Sequence, residues 1–425
     1  MTGRVTPLGL SMLAVAAWAL SLAVLSARAE LFVVALPLLV VLATLARRAP
    51  LPDERIDHEI SGDRVFEGER VTVTVTVTAS SPISLIELLG PLPAGSAVVS
   101  GSHRAVMTLG AGQTGRWSYE IQFPSRGVYD LGTIIVRIRD RFSLRTGERR
   151  HVDPKPLRVY PRTVPLRSLP RPAHAQASVG DYVSAALGEG IEPGDIRQFA
   201  PGDRVRQVNW RASLRLGKLY VTQHHRERNA DVVLMLDTLA EAGTAPETTL
   251  DLAVRAAASL ATAYLARKDR VGLVNYGGVM QWVKPGFGRV QYERLADALV
   301  RASVVFTYVA KDLVLVPPRV LPPQALVIAI TPLLDRRFTQ AVLDLAARGF
   351  DMVVLAISPV EVTRATLAPS RAIDLACRLW TLERHAQLGE LRRHGFPVLE
   401  WCPPEPLEVA LAGAWRGRPR LAFAG

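Results

Sequence analysis

Apolar and polar positions change rhythm three times along the chain. Leu8 to Ala27 is a stretch of twenty residues without a charge, and after Arg28-Ala29-Glu30 a second uncharged stretch runs from Leu31 to Ala46 and closes on Arg47-Arg48. At 1.5 Å per residue the first stretch is about 30 Å long, the thickness of a hydrocarbon core. Beyond Pro50-Leu51-Pro52 the period becomes two. Val71-Thr72-Val73-Thr74-Val75-Thr76-Val77-Thr78 alternates strictly, the mark of a strand with one buried face. Further strands are expected at 84–89, 104–109, 116–123, 131–139 and 157–160, and this spacing predicts an immunoglobulin-like β-sandwich over residues 51–165. From Asp231 the rhythm alternates between continuous apolar runs and helical spacing. Val232-Val233-Leu234-Met235-Leu236 reads as a parallel strand buried on both faces, and Leu250, Ala253, Val254, Ala257, Leu260, Ala261, Tyr264 and Leu265 line one face of a helix. Strands at 270–276, 325–331, 352–358 and 398–401, with helices at 291–302, 335–348 and 371–394, complete a doubly wound α/β sheet over residues 231–415. Val279 to Val283 is expected as an antiparallel edge strand.

Flanking charge orients the first 50 residues. Arg4 lies before the first apolar stretch and Arg47-Arg48 after the second, whereas Arg28 in the turn is offset by Glu30. The excess of cations outside the turn places both ends of a helical hairpin in the cytoplasm. A cleavable signal peptide is the alternative, because Ala27-Arg28-Ala29 has a cleavage-site form, yet the second stretch would still stop in the membrane. The whole chain is 49% hydrophobic with a mean hydropathy of +0.17, which agrees with a membrane segment. The expected location is the plasma (inner) membrane, with the domains from residue 51 onward on the cytoplasmic side.

Charge and cysteine content close other routes. Lys and Arg number 51 against 39 Asp and Glu, a net +12, but the cations are scattered rather than gathered on a tail, so no nucleic-acid footprint is expected. Two cysteines, Cys377 and Cys402, make neither a disulfide framework nor a zinc site. No G-x-x-x-x-G-K-[ST], H-E-x-x-H or G-x-S-x-G occurs, and no small-molecule substrate is indicated. His58, His103 and His151 are far apart and read as surface or turn residues; Asp140-Arg141-Phe142 reads as a turn with a buried aromatic. Adjacent His224 and His225 on a strand point to opposite faces and cannot chelate together.

Residues 166–230 hold a linker and then a dense mixed segment. Pro201-Gly202-Asp203 is a turn in which Pro presets one dihedral, Gly frees the next and Asp caps the backbone. Arg197, Asp203, Arg206, Arg211 and Arg215 bracket Trp210. The set admits two readings: an Arg–Asp network under an aromatic lid that fixes the segment to a sheet, or a face that binds a partner.

The run of Arg197, Pro201-Gly202-Asp203, Arg206, Asn209-Trp210, Ser213, Arg215, Gly217 and Leu219 resembles the signature of the family known as domain of unknown function 58. The stretch after it, with Ala256-Ala257-Ala258-Ser259-Leu260 and Asp269-Arg270-Val271-Gly272-Leu273, resembles a von Willebrand factor A domain. That resemblance implies a membrane-anchored, non-enzymatic partner of a MoxR-type AAA+ ATPase, acting as an adaptor in protein assembly or envelope processes. It also implies a place where such domains hold Mg²⁺ through Asp-x-Ser-x-Ser, a Thr and a further Asp. Here Asp237 matches the first ligand, Leu239 and Glu241 stand at the serine positions, and Thr331 stands where the last Asp is expected. Asp237, Glu241 and Thr331 are therefore a degenerate remnant, and no metal or other cofactor is expected; a Mg²⁺-dependent protein-binding module is the alternative.

Overall fold

The computed structural model describes residues 4–26, 30–46, 53–140, 142–170, 183–200, 208–227, 230–307, 313, 316–323 and 325–412, with only the backbone of 31, 34, 35, 42, 44–46, 183–196 and 222–227. It falls into two compact units, residues 1–160 and 161–425.

The first unit opens with a two-residue strand, β1 (Arg4–Val5), and the helices α1 (Pro7–Ser26) and α2 (Glu30–Ala46), which pack along each other. Of the two, α1 is long and apolar enough to cross a membrane; α2 has 17 residues and carries Pro37. Gly9, Ala16, Ala19 and Ala23 are the buried positions of α1, small residues that let another backbone approach. Eleven strands follow: β2 (Glu54–Ile60), β3 (Arg64–Phe66), β4 (Arg70–Ala79), β5 (Ile83–Leu89), β6 (Ala97–Gly101), β7 (Arg104–Leu109), β8 (Thr114–Gln122), β9 (Gly127–Asp130), β10 (Thr133–Arg139), β11 (Arg145–Val152) and β12 (Pro156–Tyr160). They form sheets in the orders β1-β11-β10-β5-β7, β2-β4-β8-β6 and β3-β12-β9. One core joins them, with Val71, Val73, Val75 and Val77 of β4, Ile86 and Leu88 of β5, Ile121 of β8 and Ile134 and Val136 of β10. The strict Val-Thr alternation thus does what a period of two dictates: every Val is buried.

Two side chains depart from expectation. His58 is buried rather than at the surface, because it stands two residues from Ile56 on the inward face of β2. Burial pushes its imidazole below the ordinary histidine range. Phe142 is not buried but 45% exposed.

In the second unit β13 (Val183–Gln198), where a linker was expected up to residue 190, pairs with β14 (Tyr220–Glu227), and α3 (Trp210–Leu216) lies between them in sequence. The α/β part is β15 (Asp231–Thr238), α4 (Thr249–Ala266), β16 (Arg270–Gly277), β17 (Gln281–Gly286), α5 (Gly288–Val300), β18 (Leu326–Thr331), α6 (Arg336–Ala347), β19 (Asp351–Ile357), α7 (Pro359–Arg364), α8 (Arg371–Arg393), β20 (Val398–Trp401) and α9 (Leu407–Ala412). The sheet order is β17-β16-β15-β18-β19-β20, parallel except for β17. Alternate residues of each buried strand feed two cores. Leu234, Leu236 and Ile328 pack with α4, while Val233, Met235 and Val327 pack with Phe338 and Leu345 of α6. Helix α4 starts on a capping box in which Thr248 and Asp251 exchange bonds.

Candidate functional site

Strand order reverses between β15 and β18, because the chain goes one way from β15 to β16 and returns on the other side through β18. In an open parallel sheet the crevice beyond the carboxyl ends at such a point is where ligands bind. Asp237, the penultimate residue of β15, and Thr331, the last of β18, meet there. The Thr331 hydroxyl donates to Asp237 Oδ2 at 2.7 Å, and the Leu239 N–H donates to Oδ1 at 3.0 Å. Leu333 N–H in turn donates to Thr331 Oγ1 at 2.9 Å. Asp237 is 1% exposed, and burial pushes its carboxyl up to about 7, against the two hydrogen bonds, which favour the charged form.

The cation of this crevice comes from the protein. Arg337 bonds Asp335, its Nε 3.0 Å from Oδ1 and its Nη2 2.6 Å from Oδ2, and Nη1 donates to the Thr307 carbonyl at 2.7 Å. The guanidinium holds the Asp335 carboxyl below the usual range and is itself held protonated by it. Deeper in, Arg384 of α8 is 3% exposed and gathers three strand ends. Its Nε bonds Glu400 Oε1, its Nη1 the Pro332 carbonyl and its Nη2 the Ile357 carbonyl, each at 2.8 Å. Sequence reading passed over Arg337 and Arg384. The signal for Arg384 was its spacing of four and seven from Leu388 and Leu391, which puts it on the buried face of α8.

This donor set does not fit Mg²⁺. Both oxygens of Asp237 are engaged, its carboxyl is pushed toward the neutral form, Leu239 is buried at one ligand position, and Glu241 lies exposed on the following loop. Mg²⁺ takes six oxygens, several of them water, and is held by one or two ionised carboxylates. Among the described residues no group of three or more His, Cys, Asp and Glu is placed to hold a metal.

The second site is the segment around α3. Pro201, Gly202, Asp203 and Arg206 lie outside the described residues, and with them the turn and two of the five residues of the expected Arg–Asp network. The remaining residues separate into a frame and a face. In the frame, Asn209 Oδ1 caps α3 by accepting from Ala212 N–H at 3.0 Å. Ser213 is buried; its hydroxyl donates to the Asn209 carbonyl at 2.8 Å and accepts from Tyr220 N–H at 2.9 Å, fastening α3 to β14. Gly217 closes the helix at φ 70°, the left-handed conformation that favours glycine. Arg197 donates to the Gln198 carbonyl at 3.0 Å. The face consists of Trp210, 60% exposed, and Leu214, 84% exposed, one turn apart, with exposed Arg211, Arg215 and Lys218 beside them. Trp and Arg at an exposed, rigidly held position are the residue types that dominate protein interfaces.

The geometry thus defines a chain with an apolar N-terminal helix, layered β-sheets and a mostly parallel α/β sheet whose switch point carries a hydrogen-bonded Asp237–Thr331 pair. Residues 195–367 match the family described as "Protein of unknown function DUF58". An uncharacterized protein of Mycobacterium bovis and one of Mycobacterium tuberculosis are each 34% identical over 113 residues, covering 26% of this chain and 36% of the relative; the chain thus spans about a third of the length of these curated relatives. Among solved structures, the cupredoxin domain of amoB from Nitrosocaldus yellowstonii matches 26% of this chain and 90% of that chain at 12% identity and a TM-score of 0.19. Spo0M, a sporulation control protein from Bacillus subtilis, matches 26% and 50% at 15% identity and a TM-score of 0.15.

Proposed function

We propose that the chain is a membrane-anchored, non-enzymatic adaptor that presents its second unit to a partner protein. The anchor is the α1–α2 hairpin, with both ends and all later residues on the cytoplasmic face of the plasma membrane. The layered β unit is an immunoglobulin-like spacer, and the α/β sheet is a von Willebrand A-like domain that works without a metal. The partner is a AAA+ ATPase of MoxR type, as the resemblance to the domain of unknown function 58 family implies.

One observation carries this reading. The segment that opens the family match holds an apolar, basic face of Trp210, Leu214, Arg211 and Arg215 on a frame that does not need those side chains. The switch point argues in the same direction, since Asp237 is held by Thr331 and Asp335 by Arg337 rather than being left without partners. The test is to crosslink the full chain in native membranes and compare wild type with Trp210→Ala/Leu214→Ser at equal abundance. Recovery of a AAA+ ATPase with the wild type, and its loss with the variant, supports the adaptor. Equal recovery from both moves the partner off α3, and the absence of any ATPase removes the partnership.

A further inference from the structure

The turn between β10 and β11 has an exposed aromatic at a place that the structure fixes. Asp140 organises it: its Oδ1 accepts from Leu144 N–H at 2.7 Å and from Arg145 N–H at 3.1 Å, and Ser143 N–H donates to the Asp140 carbonyl at 2.9 Å. Ser143 takes φ 53°, a conformation that few residues other than glycine adopt. The other side of the turn is fastened to the start of α1. Thr6 donates through its N–H to the Leu144 carbonyl at 2.9 Å and through its hydroxyl to the Ser143 carbonyl at 2.7 Å. Leu144 is fully buried, and a Cβ on Gly9 would stand 3.0 Å from the Leu144 carbonyl oxygen, so the first turn of α1 lies directly against it. Pairing of Arg4 with Thr146 and Val5 with Arg145 continues the same join.

The turn is therefore level with the entry of the apolar helix. We propose that Asp140 and residues 142–145 form a membrane foot, with Phe142 set into the boundary between lipid headgroups and acyl chains. The foot rests on the reading of α1 as a membrane span. The exposed side chains around it suit that depth: Phe142, Val5 and Leu8 are apolar, and Arg4 supplies a cation at headgroup level. Aromatic rings are enriched at this boundary and cations beside it. The occupant of the exposed ring is lipid because the neighbouring helix continues into lipid. The foot makes a third point of support beside α1 and α2, which fixes the tilt of the layered β unit on the bilayer.

The test places a reporter at the foot. The full chain is reconstituted in nanodiscs of 3:1 phosphatidylcholine and phosphatidylglycerol with plain or brominated acyl chains, as Phe142→Trp or, for comparison, Val152→Trp. Val152 is exposed at the far end of β11, seven residues on, or about 23 Å along the strand. The emission that Phe142→Trp adds to the parent should be quenched by brominated lipid at least about twofold and spared by aqueous iodide, with the reverse at Val152→Trp. Quenching by iodide at position 142, or shielding from both quenchers by protein, overturns the foot. A chain that does not elute with the discs overturns the anchor and the foot with it, a result distinct from an anchored chain whose residue 142 stays in water.

Discussion

Asp237→Asn should make the second unit more stable at pH 8 and slightly less stable at pH 4. The buried carboxyl titrates at about 7 in the folded chain, against about 3.9 when unfolded. Between those values the unfolded state binds fewer protons than the folded state, so this group's contribution to stability falls as pH rises from about 4 to 7 and stays low above that. A gap of about three units corresponds to about 4 kcal/mol at full ionisation. Asparagine keeps the shape, cannot ionise, and retains an acceptor for the Leu239 N–H. It turns an NH₂ toward Thr331 Oγ1, which already accepts from Leu333, so the hydroxyl proton loses its acceptor at a cost of about 1 kcal/mol. The net expectation is a gain of about 2–3 kcal/mol at pH 8 and a loss of about 1 kcal/mol at pH 4. Thermal melts from pH 4 to 8, read on the transition of the second unit, should show a difference that changes sign; at about 2–4 °C per kcal/mol the gain at pH 8 is about 5–10 °C. A difference independent of pH, or a loss at pH 8, would refute the burial of an ionisable carboxyl as its cause.

Other perturbations separate frame from face. Arg384→Met should destabilise by about 3–5 kcal/mol, read by denaturant melts, because it strands Glu400 and two strand-end carbonyls in the interior. Ser213→Ala should cost about 1–3 kcal/mol by leaving Tyr220 N–H without its acceptor. Leu214→Ser, on an exposed side chain, should stay within about 0.5 kcal/mol in the same melts while reducing partner recovery. Saturating Mg²⁺ should leave the melting temperature unchanged, since binding to the folded state alone would raise it; a rise abolished by Asp237→Ala would restore the metal reading.

Periodicity made most of the α/β sheet legible. Leu250, Val254, Ala257 and Leu260 share a helical face in sequence and a core in space, and Val232 to Leu236 is buried without a gap. Strands with charged outer faces escaped: β11 reads Arg-Thr-Gly-Glu-Arg-Arg-His-Val, and pairing to β10 makes it a strand, with Arg137 of β10 bridging Glu148 at 3.0 Å and Glu87 at 3.4 Å. Such a ladder has no apolar alternation for a pattern to find. Of the candidate site, Asp237 and Thr331 were legible as remnants of a motif, but Asp335, Arg337 and Arg384 come from loops and helices that only the fold brings to the strand ends. Trp210 shows the limit in the opposite sense. The sequence reading grouped it with the arginines around it but showed neither the short helix α3 nor the face that helix buries, because its partner β14 lies beyond a tight glycine turn.

The pairing of β1 with β11 also bears on how the chain is made. Arg4 and Val5 find their sheet neighbours some 140 residues further along the chain, at Thr146 and Arg145. Until that pairing forms, Arg145 and Thr146 of β11 lack their outer partner, and on the anchored reading they gain it only if α1 has entered the bilayer with its start on the same side as the strands. A chain inserted the wrong way round would lengthen the open edge of β11 by these two residues, and an open edge can recruit another chain's strand. The pairing of Arg4 and Val5 thus ties the side on which α1 starts to the completion of the first rungs of β11.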